Sequence, residues 1–272
     1  MQHFCSGSAK GHSTSNYIEH THQLSLPLDM ADTLVVLPGD TISASYLPTA
    51  QKRKIGLGIK QDDNSNDFIS TIAGTVSIDH RKKAAHTSVP HARYIPKTGD
   101  SIICQVRGAS FETFHLYVNA YSPQAILSHF AFEGASKKTR PQLKTGDVVY
   151  CRVVSAQKNM DVEVSCVNPA SGKAEGLGPL EGGMVFDVST GLAGRLLRKE
   201  VGSVMEELGN KIPGGFEIVV GRNGRVWVDC AESGVRGVIT VGRVLQKLDE
   251  EIVTEKEQKK MVNRMVKETG LG

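Results

Sequence analysis

From Leu34 onward, short apolar runs alternate with turn residues. Val35-Val36-Leu37 leads into Pro38-Gly39-Asp40, Ile55, Leu57 and Ile59 alternate with Gly56 and Gly58, and Ile72–Ile78 is a further short run. Period-two apolar spacing bounded by Gly, Pro and Asp predicts a small β domain over residues 31–93, with the polar stretch Gln61–Asp67 as a loop. A second β unit starts near Tyr94. Its runs are Ser101–Val106, Phe111–Ala120, Gln124–Phe130, Asp147–Val154 and Asp161–Val167. Five strands in so short a stretch fit a five-stranded barrel of the OB type over 94–170. Lys97-Thr98-Gly99-Asp100 and Lys144-Thr145-Gly146-Asp147 are matching turns that open its first and fourth strands.

Over residues 171–272 the pattern is mixed. Met184–Val188 reads as a strand, and Thr190–Lys199 and Val201–Leu208 as short helices. Glu217–Val220 and Arg225–Val228 flank Gly221-Arg222-Asn223-Gly224. Asn-Gly between two alternating runs predicts a hairpin with a type I′ turn. Val241, Val244, Leu245 and Leu248 recur with helical period, and Thr254 with Glu257 forms a capping box before a last helix striped by Met261, Val262, Met265 and Val266. The fold class expected is mainly β with a C-terminal α+β domain. Residues 1–30, rich in Ser, His, Gln and Asn, read as a disordered tail.

Composition narrows the function classes. The 272 residues are 39% hydrophobic and 22% charged, with a net charge of only +3, so affinity for nucleic acid has to come from local patches. No apolar run is long enough for a membrane span, and the N-terminal residues lack the order of a signal peptide. The five cysteines form no CxxC pair. Buried free thiols in a reducing compartment are expected, without a metal or other cofactor. His20 and His22 form an HxH pair that nothing nearby completes.

The sequence carries no Walker loop, no HExxH and no GxSxG. Asp161 and Glu163 share a strand face without further acidic partners, and Glu206, Glu207 and Asp249–Glu251 read as solvated helix faces. The barrel offers material of another kind. Single-stranded RNA is held by bases stacked on aromatics while cations follow its phosphates. Phe111, Phe114, His115 and Tyr117 fall on one expected strand, Arg107 ends the strand before it, and Lys137-Lys138-Thr139-Arg140 is a basic loop. Phe114 shares parity with Leu116 and Val118, so barrel core and base platform both remain open for it. The loop is either solvated or an RNA contact.

Four stretches resemble the RNA-exosome cap subunits that carry S1 and KH domains. They are Tyr94–Asp100 with Ile102–Val106, Phe130–Pro141, Leu143–Tyr150, and Gly221–Val228 with its GxNG signature. The resemblance implies an N-terminal β domain, an S1 barrel and a KH-like domain in a non-catalytic RNA-binding subunit. It implies seating on a ring of RNase PH-like subunits beside other cap subunits. RNA then threads into the central channel for processing and decay, ribosomal RNA included, in nucleus, nucleolus and cytoplasm. It associates the positions of Phe111 and Phe114 with base stacking. In ordinary KH domains the GxxG loop joins two helices and clamps the RNA backbone. Gly221–Gly224 joins two strands instead, so Arg222 and Asn223 are candidates for either RNA contact or packing, and Trp227 for core or interface. A free-standing S1/KH RNA-binding protein and a metal-dependent ribonuclease are the competing readings.

Overall fold

The computed structural model describes residues 2–4, 34–43, 54–62, 67–79, 83–89, 91–120, 122–198, 201–250 and 255–270. Most of the expected tail, His20, His22, Cys5, the centre of the Gln61–Asp67 loop and Thr254 of the capping box lie outside them. Gln2–Phe4 are a strand, β1. A three-residue strand has no periodicity to read in the sequence. Among the described residues, those from 34 to 89 form one compact unit, and those from 91 onward, with β1, form another.

The first unit has two small sheets. One orders β2 (Val35–Val36), β7 (Gly74–Asp79), β8 (Ala84–Ser88) and β4 (Lys54–Ile55), and the other β3 (Thr41–Ile42), β6 (Phe68–Ser70) and β5 (Ile59–Gln61). Val36, Ile42, Ile59, Phe68, Val76 and Ala85 make its core. The alternating run Ile55–Ile59 is broken by a turn, which leaves Leu57 exposed.

The second unit holds a closed barrel of β9 (Ser101–Ala109), β10 (Thr113–Tyr117), β11 (Ala125–Ser128), β12 (Val148–Ser155) and β13 (Val162–Ser165). β9 pairs with β10 and β12, β10 with β11, β11 with β13 in parallel, and β13 with β12, which closes the ring. Alternation sends Ile102, Cys104, Val106, Phe114, Leu116, Leu127, Val149 and Val153 inside. The matching turns behave alike: Asp100 N–H donates to Lys97 O and Asp147 N–H to Lys144 O, both at 3.1 Å, with glycine in the left-handed position before each aspartate. β14 (Gly178–Leu180) adds to the outer side of β12.

The C-terminal part is a sheet ordered β1, β16 (Phe216–Gly221), β17 (Arg225–Asp229) and β15 (Met184–Asp187). With it come helices α1 (Thr190–Leu197), α2 (Gly202–Lys211), α3 (Gly234–Glu250) and α4 (Glu255–Glu268). Ser189 caps α1 by accepting the Leu192 N–H. One sheet face, with Phe216, Ile218, Val226 and Val228, packs on Leu208, Val241, Leu245 and Val262 of the helices, and Met261 and Met265 line that core. The opposite face presents Val219 and Trp227 to Ile103 and Leu180 on the barrel side. The sheet is therefore covered on both faces. Burying an indole at this seam contributes about 4–6 kcal/mol.

Candidate nucleic-acid interface

Strand direction decides which loops meet. β9 ends, β10 begins, β11 ends and β12 begins at the same end of the barrel. That end gathers the 110–112 turn and the long 129–147 connection. Ser110 N–H donates to Thr113 O, and His129 N–H to Glu112 O, tying the turn to the end of β11. Phe111 stands on this turn, not on the strand as expected, and is 89% exposed. Phe130, on the neighbouring segment, is 49% exposed. An aromatic ring left in water at a tight turn forfeits its burial energy, and a stacked base restores it.

The basic loop is a built turn. Thr139 Oγ1 donates to Gly134 O at 2.9 Å and bonds the Ser136 hydroxyl at 2.7 Å, and Arg140 N–H donates to Ser136 O. Lys137 and Lys138 are exposed at its apex, and Arg140 is half-buried. Arg107 owes its position to a β-bulge. β10 pairs His115 with Gly108 and Leu116 with Val106, so Arg107 is the extra residue on β9. A bulge re-aims a side chain. Here the guanidinium of Arg107 lies 5.5 Å from the centroid of the outward-facing Tyr117 ring. His115 is half-buried on the same outer face.

Two residues with two readings open are buried. Phe114 is 2% exposed and stacks on His129 inside the barrel, with centroids 4.1 Å apart. Its parity with Leu116 decides the matter, and it has no face to offer a base. Asn223 is fully buried. Its Oδ1 accepts the Ile103 N–H at 3.2 Å, and its Nδ2 donates to Ile103 O at 2.8 Å and Val118 O at 2.9 Å. Asn119 Nδ2 in turn donates to Asn223 O. The side chain satisfies backbone groups that the barrel surface would otherwise bury unpaired.

The rest of the GxNG turn serves the same junction. A Cβ on Gly221 would stand 2.8 Å from the Ile103 nitrogen and 2.4 Å from Asn223 Oδ1, so only glycine fits. Arg222 N–H donates to Ser101 O at 2.8 Å, and its exposed guanidinium pairs with Asp100 at 3.3 Å. Asp100 also accepts the Tyr94 hydroxyl, and burial, followed by Asp100, pushes that phenol far above its usual range. The turn is not type I′. Gly221 pairs with Arg225, Gly224 N–H donates to Gly221 O, and of the loop residues only Gly224 has positive φ, at 78°. Three loop residues with a left-handed glycine last make a bulged hairpin.

Among the described residues, no cluster of three His, Cys, Asp or Glu forms a metal site, and no helix is long and apolar enough to cross a membrane. Cys104, Cys151, Cys166 and Cys230 are free and buried. Burial pushes the Cys166 thiol up to about 12 and the Cys230 thiol up to about 11. Cys151 is also raised, chiefly by its contact with Cys104 Sγ at 3.8 Å. Such thiols are inert at neutral pH.

The family model for the S1 domain of Exosome complex component RRP40 matches residues 94–178, and a KH-domain model matches 183–234. Exosome complex component RRP40 of Saccharomyces cerevisiae is 32% identical over 72% of this chain and 82% of its own. This chain belongs to the RRP40 family of exosome complex components. The Drosophila melanogaster RRP40 is 36% identical over 73% of this chain and 82% of its own. A solved structure described as that of a candidate exosome complex RNA-binding protein shares the fold, with a TM-score of 0.52 at 21% identity, over 66% of this chain and 99% of its own. The RRP40 S1 match runs past residue 170 to take in the Asn168–Leu177 loop, where Asn168 and Ser171 both donate to the Glu175 carboxylate. Those bonds, Ser171 first, hold Glu175 below the usual carboxylate range.

Two residues that the sequence did not single out as contacts stand beside these. Phe130 looked like the end of an apolar strand. Arg225 shares parity with Trp227 on β17, so it faces the barrel, and its guanidinium lies 5.2 Å from the Tyr117 centroid. Parity was available in the sequence, but the barrel as the covering surface was not.

Proposed function

We propose that this chain is a non-catalytic RNA-binding cap subunit of an exosome complex. It helps assemble that complex on RNase PH-like ring subunits and guides single-stranded RNA toward the central channel, in nucleus, nucleolus and cytoplasm. The observation that carries the reading is the aromatic and basic end of the barrel in a chain of the RRP40 family. There the exposed rings of Phe111 and Phe130 stand at the end that also bears Lys137, Lys138 and Arg140, while Arg107 and Tyr117 continue along the outer face. The site assignment is Arg107, Phe111, His115, Tyr117, Lys137, Lys138 and Arg140. Arg222 is already committed to Asp100 and is a marginal member.

The test is reconstitution with RNase PH-like ring subunits, followed by crosslinking to labelled RNA. The chain is expected to join the ring, and Phe111→Ala with Arg107→Ala to lower crosslinking at the cap. A chain that stays monomeric with every such subunit would show a free-standing RNA-binding protein instead. RNA cleavage by the purified chain, abolished by chelators, would show an enzyme.

A further inference from the structure

The KH-like sheet reaches the barrel's outer face through one side chain that the proposed site does not include. Arg225 follows directly on the Gly221–Gly224 turn, which is held to the barrel by the Arg222 N–H on Ser101 O and by the Asn223 side chain on Ile103 and Val118. Three successive residues of the barrel therefore receive this hairpin: Asn119 donates to Asn223 O, Val118 O accepts from Asn223 Nδ2, and the Tyr117 ring meets the Arg225 guanidinium. Arg225 is also fixed from behind. Its register partner Asp187 accepts from its Nε at 3.1 Å, and the Arg225 side chain is only 11% exposed.

Tyr117 is thus flanked by two cations of different character. Arg107 sits on a bulge, exposed, free to follow a phosphate. Arg225 is half-buried and held between Asp187 and the Tyr117 ring. A guanidinium over an aromatic ring restrains the ring without consuming its hydrogen-bonding groups. We infer that Arg225 is a positioning residue for RNA: it pre-orients the Tyr117 ring as a base platform, so that the KH-like sheet sets the geometry of the barrel's binding face without touching RNA itself. The inference rests on the proposed reading of the barrel face as the RNA surface.

Pre-organising one side chain is worth about 0.5–1.5 kcal/mol, or roughly two- to twelvefold in affinity. Arg225→Met in the full chain is expected to weaken binding of a fluorescein-labelled oligouridylate by about that factor. The salt dependence should keep its slope, because no phosphate contact is lost. In a Tyr117→Leu background the same substitution should add nothing. A slope lowered by about one, with additive losses, would mean a direct phosphate contact and overturn the inference. Unchanged affinity would overturn it as well. Emission from Trp227, the only tryptophan, which is 2% exposed at the same seam, checks that the junction survives. Should Arg225→Met disturb it, Asp187→Asn frees the anchor from the solvent side, since the Asp187 side chain is 75% exposed, and about a twofold loss is expected. No loss there would overturn the inference. If Lys137→Ala and Phe111→Ala weaken binding while the Arg225 and Asp187 variants do not, only the inference falls. If no variant has an effect and the wild-type chain binds no RNA, the underlying reading falls.

Discussion

The barrel's basic end and the Gly221–Gly224 turn both carry residues of the kind that hold RNA, yet they spend them differently. At the basic end, Phe111 lies almost wholly in water and Lys137 and Lys138 are exposed on a turn fastened by Thr139. At the turn, the asparagine is sealed, all of its side-chain bonds go to barrel backbone, and the glycines are dictated by contacts of less than 3 Å. Gly, Arg and Asn, spaced as in the ligand loop of ordinary KH domains, make a joint here. Exposure together with unfilled bonding capacity distinguishes them, and composition does not.

The comparison predicts opposite responses to substitution. Asn223→Ala strands the Ile103 N–H, the Ile103 carbonyl and the Val118 carbonyl, and is expected to destabilise the fold by about 3–5 kcal/mol in urea titration. Retained stability would dissolve the distinction. Gly221→Ala forces a Cβ against the Ile103 nitrogen and should cost about 1–3 kcal/mol in the same measurement. Phe111→Ala should do the reverse, leaving the urea midpoint within about 0.5 kcal/mol while lowering oligouridylate affinity by about 1–3 kcal/mol. Lys137→Ala with Lys138→Ala should weaken RNA binding at every sequence tested and reduce the salt slope by about two.

The buried thiols give the smallest effect. Cys166 and Cys230 are raised in the folded chain above the ordinary value of 9.0, so folding favours their protonated form. Their contribution is complete below about pH 9 and declines as pH rises through about 11 to 12. Urea midpoints should therefore be flat through neutral pH and fall on the alkaline side. A thiol reagent at pH 8 should reach these positions only after unfolding.

Much of the fold was legible because period-two alternation, paired Gly-Asp turns and the stripes of the last two helices are local. The junction was not, because it depends on residues far apart in the chain, with Asn223 bonded to Ile103 and Val118. An Asn-Gly pair announces a hairpin, but a short-range rule cannot know that the asparagine will be swallowed by a neighbouring barrel. Phe114 shows the same limit in reverse. Its parity already favoured the interior, and the association of its position with stacking pulled the other way. Arg107 was found for its charge, although the bulge that aims it leaves no mark in the sequence.

That bulge changes which side of β9 faces inward. Before it, Ile102, Cys104 and Val106 point into the barrel; after it, Ala109 pairs with the inward Phe114. Position 107 is consequently the residue of β9 that the ladder to β10 passes over. Removing Arg107 should restore an unbroken ladder with every core residue still inside, so that a thermal melt by circular dichroism finds the barrel intact. An intact melt would show that the residue carrying the charge is separable from the scaffold that holds it.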